Sequence, residues 1–166
     1  MIEMCYQYGD SIFIKSGDFD MLIDSGQKSD GKNVNAIIQR YCTDKILDVL
    51  IATHGHGDHV GGFAGGALDG IQTINLIIDY GYYSTDEYCS IRNNYIENGT
   101  DYYSAYDCVE ELEGASQKYK FSEDLFLEVL DTKQYAPKGE RITYDANEND
   151  YSVCLLYTSD AADDKA

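Results

Sequence analysis

Apolar positions in the first half of this chain change period twice. "SIFIKS" (11–16) and "DMLIDSG" (20–26) are short β-prone runs separated by the turn-forming pair Gly17-Asp18, which predicts a hairpin. From Val34 the spacing lengthens. Val34, Ile37, Ile38 and Tyr41 fall at i, i+3, i+4 and i+7, the stripe of an amphipathic helix over roughly residues 32–42. "ILDVLIAT" (46–53) is then nearly continuous in apolar residues, as expected of an interior strand covered on both faces. "INLIIDYG" (74–81) repeats that signal.

Ser84 and Glu87 have the S-x-x-E spacing of a capping box, and Tyr88, Ile91 and Tyr95 continue at helical intervals, so a helix is expected from about 85 to 97. "LFLEVLD" (125–131) and "YSVCLLYT" (151–158) predict two further strands. Between them, residues 132–150 are polar, hold the chain's single proline and predict a long loop. Strands covered by helices make an α/β layered domain. Eight of the sixteen tyrosines lie between Tyr80 and Tyr106, and they are read as packing residues with hydroxyls in water in preference to a binding surface.

Composition narrows this picture. The 166 residues are enough for one domain with a real core. Twelve basic against thirty acidic residues give a formal charge of −18, a field that repels phosphate backbones, so stable nucleic-acid binding is not expected. Cys5, Cys42, Cys89, Cys108 and Cys154 are odd in number and lack C-x-x-C spacing, which points to ordinary buried thiols and away from a disulfide framework or zinc knuckle. No apolar run approaches the ~20 residues of a membrane span, and "MIEMCYQYGD" lacks the basic and apolar regions of a secretory signal. As written the chain reads as soluble and cytoplasmic, with no membrane partner.

The chemistry is concentrated in "THGHGDHVGG" (53–62). All three histidines of the chain, His54, His56 and His59, fall within six positions, with Asp58 among them. Imidazole and carboxylate are the ligands that zinc and related divalent metals accept. Gly55 and Gly57 are expected to free the backbone so that neighbouring ligands converge. The loop directly follows a buried strand, where open α/β sheets place ligand sites. "GGFAGG" (61–66) is not followed by G-K-[ST] and contains no G-x-G-x-x-G, which removes a phosphate cradle from contention.

At His54, His56, Asp58 and His59 the chain resembles the metallo-β-lactamase superfamily, whose H-x-H-x-D-H signature is matched in full. "YGDSIFIKSGDFDMLIDSG", "ILDVLIATHGHGDHVGG" and "INLIIDYGYYST" more closely resemble the hydrolase domain of ComEC-type competence proteins and their free-standing relatives. The likeness covers about residues 8–100 well. It implies an αββα sandwich of which the first half is present, with residues 1–153 a partial domain. It also implies two divalent ions, zinc first, with manganese or iron compatible. His54 and His56 would belong to one ion, Asp58 and His59 to its neighbour, and Asp24 in "LIDSG" would support the loop by hydrogen bonding. Asp58 would also orient a metal-bound hydroxide toward an ester, phosphodiester or related bond, in a small-molecule or phosphodiester substrate.

Relatives complete the two sites with a bridging aspartate and a later histidine, and this chain has no fourth histidine. Asp160 in "TSD" lies too close to "YSV" to be the bridging aspartate. The ending "CLLYTSDAADDKA" resembles translated adaptor read-through, so native sequence is expected to stop near Val153, with 154–166 a non-native tail. On that reading the chain is inactive as given, and an apolar sheet face is left bare. The alternatives are a non-catalytic metal-binding or folding-incompetent fragment and, last, a diiron oxidoreductase, which characteristically has glutamate where this chain has His56. Substrate and oligomeric state are not set by the sequence.

Overall fold

The structure, a computed structural model, describes residues 2–4, 9–82, 85–123, 125–132, 135, 137–138 and 151–159. A six-stranded sheet has its strands in chain order: β1 (Ile2–Met4), β2 (Ile12–Ser16), β3 (Phe19–Ile23), β4 (Ile46–Ala52), β5 (Thr73–Asp79) and β6 (Asp101–Ser104). β2 and β3 form the predicted hairpin, with Ser16 opposite Phe19 and only Gly17-Asp18 between them. Gly17 takes φ +60°, a value that glycine adopts without steric cost.

From β3 onward the strands are parallel, each joined to the next by a helix. These are α1 (Gly31–Tyr41), α2 (Gly57–Ala64) and α3 (Asp86–Glu97). Parallel strands laid down in chain order, with the right-handed crossovers that are the rule for such units, put successive helices on one face, and α2 packs against both α1 and α3. α1 buries Val34 and Ile38 and half-buries Ile37 and Tyr41, the stripe its spacing predicted.

β4 is the centre of the core. Val49, Leu50, Ile51 and Ala52 are each 1% exposed or less, so consecutive residues pointing to opposite faces are all covered. The helices cover one face. On the other lies a three-stranded antiparallel sheet of β7 (Lys118–Lys120), β8 (Leu125–Val129) and β9 (Leu155–Ser159), whose Leu127 and Val129 join the same core. A short helix, α4 (Ala105–Val109), packs against β8. The bare apolar face expected from the sequence is not found: among the described residues the exposed large hydrophobics are Ile46, Leu112 and Leu156.

Three further expectations shift. The cap of α3 is Thr85, whose side chain accepts from the Tyr88 amide, because the helix begins at Asp86; Ser84 itself lies outside the described residues. The strand expected at 151–158 runs from Leu155 to Ser159, because the Val153 amide leaves the ladder to donate to the Thr53 carbonyl at 2.8 Å. Of the buried thiols, Cys42, Cys89 and Cys108 are buried and Cys154 is exposed, while Cys5 lies outside the described residues. Most of the 132–150 loop and Asp160 also lie outside them. No helix among the described residues is long and apolar enough to cross a membrane.

Candidate metal centre

The histidine loop leaves the carboxyl end of β4 and runs straight into α2. His54 is buried, His56 stands at the N-cap of α2, Asp58 is exposed in its first turn and His59 follows on the same helix. α2 was not legible in the sequence, because four of its eight residues are Gly or Ala and three of those are glycine, the poorest helix former after proline. It forms where it does because it is seated on the segment after β3. A Cβ on Gly62 would stand 1.9 Å from the Ser25 carbonyl oxygen, and one on Gly65 would stand 2.0 Å from that of Lys28. "GGFAGG" is thus a packing surface for backbone.

The glycines between the histidines have no such role. Neither Gly55 nor Gly57 takes a positive φ, and a Cβ on Gly57 would meet open space, so the expected convergence through special backbone angles does not occur. Convergence comes from partners outside the loop.

Asp24 is the chief of these. It follows β3 in a left-handed conformation, φ +55°, uncommon for a residue with a side chain, and its carboxylate is 3% exposed. Oδ1 accepts from the Thr53 amide at 2.7 Å. Oδ2 accepts from the Thr53 hydroxyl at 2.6 Å and meets His59 Nδ1 at 2.7 Å. One carboxylate therefore grips both ends of the 53–59 segment. With Nδ1–H donated to Asp24, His59 keeps its lone pair on Nε2, which lies 3.7 Å from Asp10 Oδ2. Burial lowers the His59 pKa, but the Asp24 hydrogen bond and charge outweigh that and raise it.

His54 is held differently. Its Nδ1 lies 3.1 Å from Thr53 Oγ1, which already donates to Asp24 and so accepts from the ring. Nε2 is left unprotonated, buried and without a partner. Burial, aided by the neighbouring His59, pushes the His54 pKa down to about 4, so the ring is neutral at physiological pH. The His54 ring centroid is 3.9 Å from that of His59 and 4.8 Å from that of His56. A buried, unpartnered imidazole nitrogen on a ring that packs against two more imidazoles, with carboxylate close by, is a donor set that suits a divalent metal. The site is open: the only three His, Cys, Asp or Glu ligand atoms within 4.8 Å of one another among the described residues are elsewhere, on Asp20, Cys42 and Asp44.

Sequence reasoning singled out Asp24 but missed its companions. Ser25 takes its amide and hydroxyl to the His59 carbonyl, at 2.7 and 3.0 Å, and its Oγ accepts from the Phe63 amide. Tyr82, 1% exposed, accepts the Gly55 amide at 3.1 Å. The Asp10 amide donates to the Asp58 carbonyl at 3.1 Å. Thr53, Ser25 and Tyr82 are common residue types with no motif of their own. "GDS" and "DSG", lying on either side of the hairpin, were the nearest available signal.

Comparison with known proteins follows this geometry. No curated protein matches the chain. Solved structures that resemble it include the Rm3 metallo-beta-lactamase, at 17% identity and TM-score 0.47, covering 82% of this chain and 50% of that one. A metallo-beta-lactamase from Pontibacter korlensis is 12% identical with TM-score 0.40, covering 78% and 54%, and one from Hirschia baltica is 17% identical with TM-score 0.37, covering 77% and 55%. The chain spans about half the length of these proteins, and likenesses so remote carry no argument of their own. The family profile does carry one. It matches residues 7–113, from ahead of the hairpin through the histidine loop to the turn after α4, and the chain belongs to the metallo-beta-lactamase superfamily.

Proposed function

We propose that this chain contributes the histidine loop of a metal-dependent hydrolase that acts on an ester, phosphodiester or related bond. His54 and His56 would hold one divalent ion, zinc first, and Asp58 and His59 its neighbour. The observation that carries the reading is the orphaned Nε2 of His54, buried beside two further imidazoles while Asp24 fixes the tautomer of the third. When bound, such ions make a water acidic enough to supply a nucleophile near neutral pH and polarise the bond under attack.

The chain's own groups supply positioning. Asp24 Oδ2 keeps the proton on His59 Nδ1, which leaves Nε2 to donate its lone pair. Thr53 does the same for His54. Asp58, exposed in the first turn of α2, would orient an attacking water. The formal charge of −18 favours a small or neutral substrate over long nucleic acid. The resemblance to ComEC-type hydrolase domains supports a phosphodiester among the candidate bonds.

Metal analysis after extensive dialysis tests the ligand assignment. Each ion has two candidate protein ligands here, where catalytic zinc sites offer three, so substoichiometric retention is expected, and less still in His54→Ala/His56→Ala. Retention unchanged in that double variant overturns the assignment. Assays on phosphodiester, lactone and thioester substrates with added zinc or manganese test the activity. Turnover abolished by Asp58→Ala supports a hydrolase. Metal retention without turnover favours a binding role.

A further inference from the structure

Asp20, on β3 and four residues before Asp24, is also a fully buried aspartate, but it is incompletely satisfied. At the ~3.3 Å rise of a strand the two lie ~13 Å apart, Asp20 near the start of β3 and Asp24 just past its end. Asp20 Oδ2 meets Lys15 Nζ at 3.0 Å and the Cys42 thiol lies within hydrogen-bonding reach of the carboxylate, while Oδ1 is buried and makes no well-formed hydrogen bond. Leaving a carboxylate oxygen unpaired away from water is costly, so something is expected to meet it. What lies alongside is Cys42, 1% exposed at the C-cap of α1, and Asp44 in the turn that leads into β4. One ligand atom from each of the three falls within 4.8 Å of the other two. Cys42 Sγ donates to the Ile46 carbonyl at 3.0 Å and lies 3.7 Å from Asp44 Oδ1.

We propose that Asp20, Cys42 and Asp44 form a second divalent-cation site of the zinc class, separate from the histidine loop. One thiolate with two carboxylates suits a borderline metal and not the hard cations magnesium or calcium, which prefer oxygen alone. Access is from the Asp44 side, the one exposed member of the trio. Lys15 occupies the other oxygen of Asp20 and does not fill the position. Burial and the facing carboxylates of Asp20 and Asp44 push the Cys42 thiol up to about 12, and burial raises Asp20 as well. A bound cation would reverse that local logic at the thiol.

Cobalt is the probe, because a thiolate-to-cobalt charge-transfer band requires sulfur and the histidine loop has none. Titrating cobalt into the full chain is expected to raise that band, with Cys42→Ser abolishing it and Cys154→Ser, at the exposed thiol, leaving it in place. Asp44→Asn, an exposed change that leaves the core untouched, is expected to weaken cobalt at least as much as the about tenfold loss that follows removal of an outer partner. No band at saturating cobalt, a band that survives Cys42→Ser, or an affinity unchanged in Asp44→Asn overturns the proposal.

Discussion

Asp24 and Asp79 end parallel strands on either side of β4, and both carboxylates are buried, at 3% and 0% exposure. Their partners differ. Asp24 is met by Thr53 and His59, all from the short segment after β4. Asp79 is met by the Arg92 guanidinium at 2.8 Å, the Tyr88 hydroxyl at 3.0 Å, the Tyr102 hydroxyl at 2.9 Å and the Gly81 amide at 2.8 Å. Those donors come from α3, β6 and the turn after β5, so Asp79 ties three elements of the fold together. Burial and the Asp79 charge raise the pKa of both tyrosines, and despite burial that same charge raises Arg92. A buried carboxylate therefore orients a site or clamps a fold according to where its donors originate.

The sharpest way to break this contrast is Asp79→Ala, which strands a largely buried guanidinium. A loss of about 3–5 kcal/mol is expected, read as a lower urea midpoint at constant slope. Zinc uptake per folded molecule should be unchanged. Asp24→Asn should do the reverse, costing about 10–100-fold in zinc affinity with a smaller shift in the urea midpoint than Asp79→Ala. An inverted ranking in either measurement would show that the origin of the donors does not divide the roles.

Two smaller effects sharpen it. Tyr82→Phe removes the acceptor of the Gly55 amide between His54 and His56, and about 1 kcal/mol of stability should go with it, accompanied by weaker zinc binding. Unchanged affinity would mean that Tyr82 only fills space. Asp107 is an intermediate case, meeting the Ser104 amide at 2.8 Å within its own helix cap and Lys138 at 2.9 Å from afar. Burial opposes ionisation there, but Lys138 and Ser104 prevail and hold the carboxyl below its ordinary 3.8. A depressed folded value means that the charged form stabilises the fold above pH 3.8 and that this contribution fades as pH falls through the lower folded value. Wild type should accordingly exceed Asp107→Asn in thermal stability at neutral pH, with the gap closing in acid. A gap independent of pH would assign the effect to the cap geometry alone.

The sequence by itself determined the β2–β3 hairpin, α1, the buried runs of β4 and β5, and the candidate ligands His54, His56, Asp58 and His59. Each of these rests on local period, turn chemistry or an uncommon concentration of one residue type, all of which survive in a linear string. α2 was decided only in the tertiary structure, because its glycines are poor helix formers and because Gly62, with Gly65 at its C-cap, is required by the close approach of the Ser25 and Lys28 carbonyls, over 30 residues away. β6 and β7, of four and three residues, are too short to show a period. The convergence of the histidines was likewise decided in three dimensions. The sequence suggested that Gly55 and Gly57 would bend the loop. Instead the Asp24 carboxylate, delivered from a neighbouring parallel strand, holds Thr53 and His59 by hydrogen bonds, and no spacing within the motif encodes contacts made across a sheet.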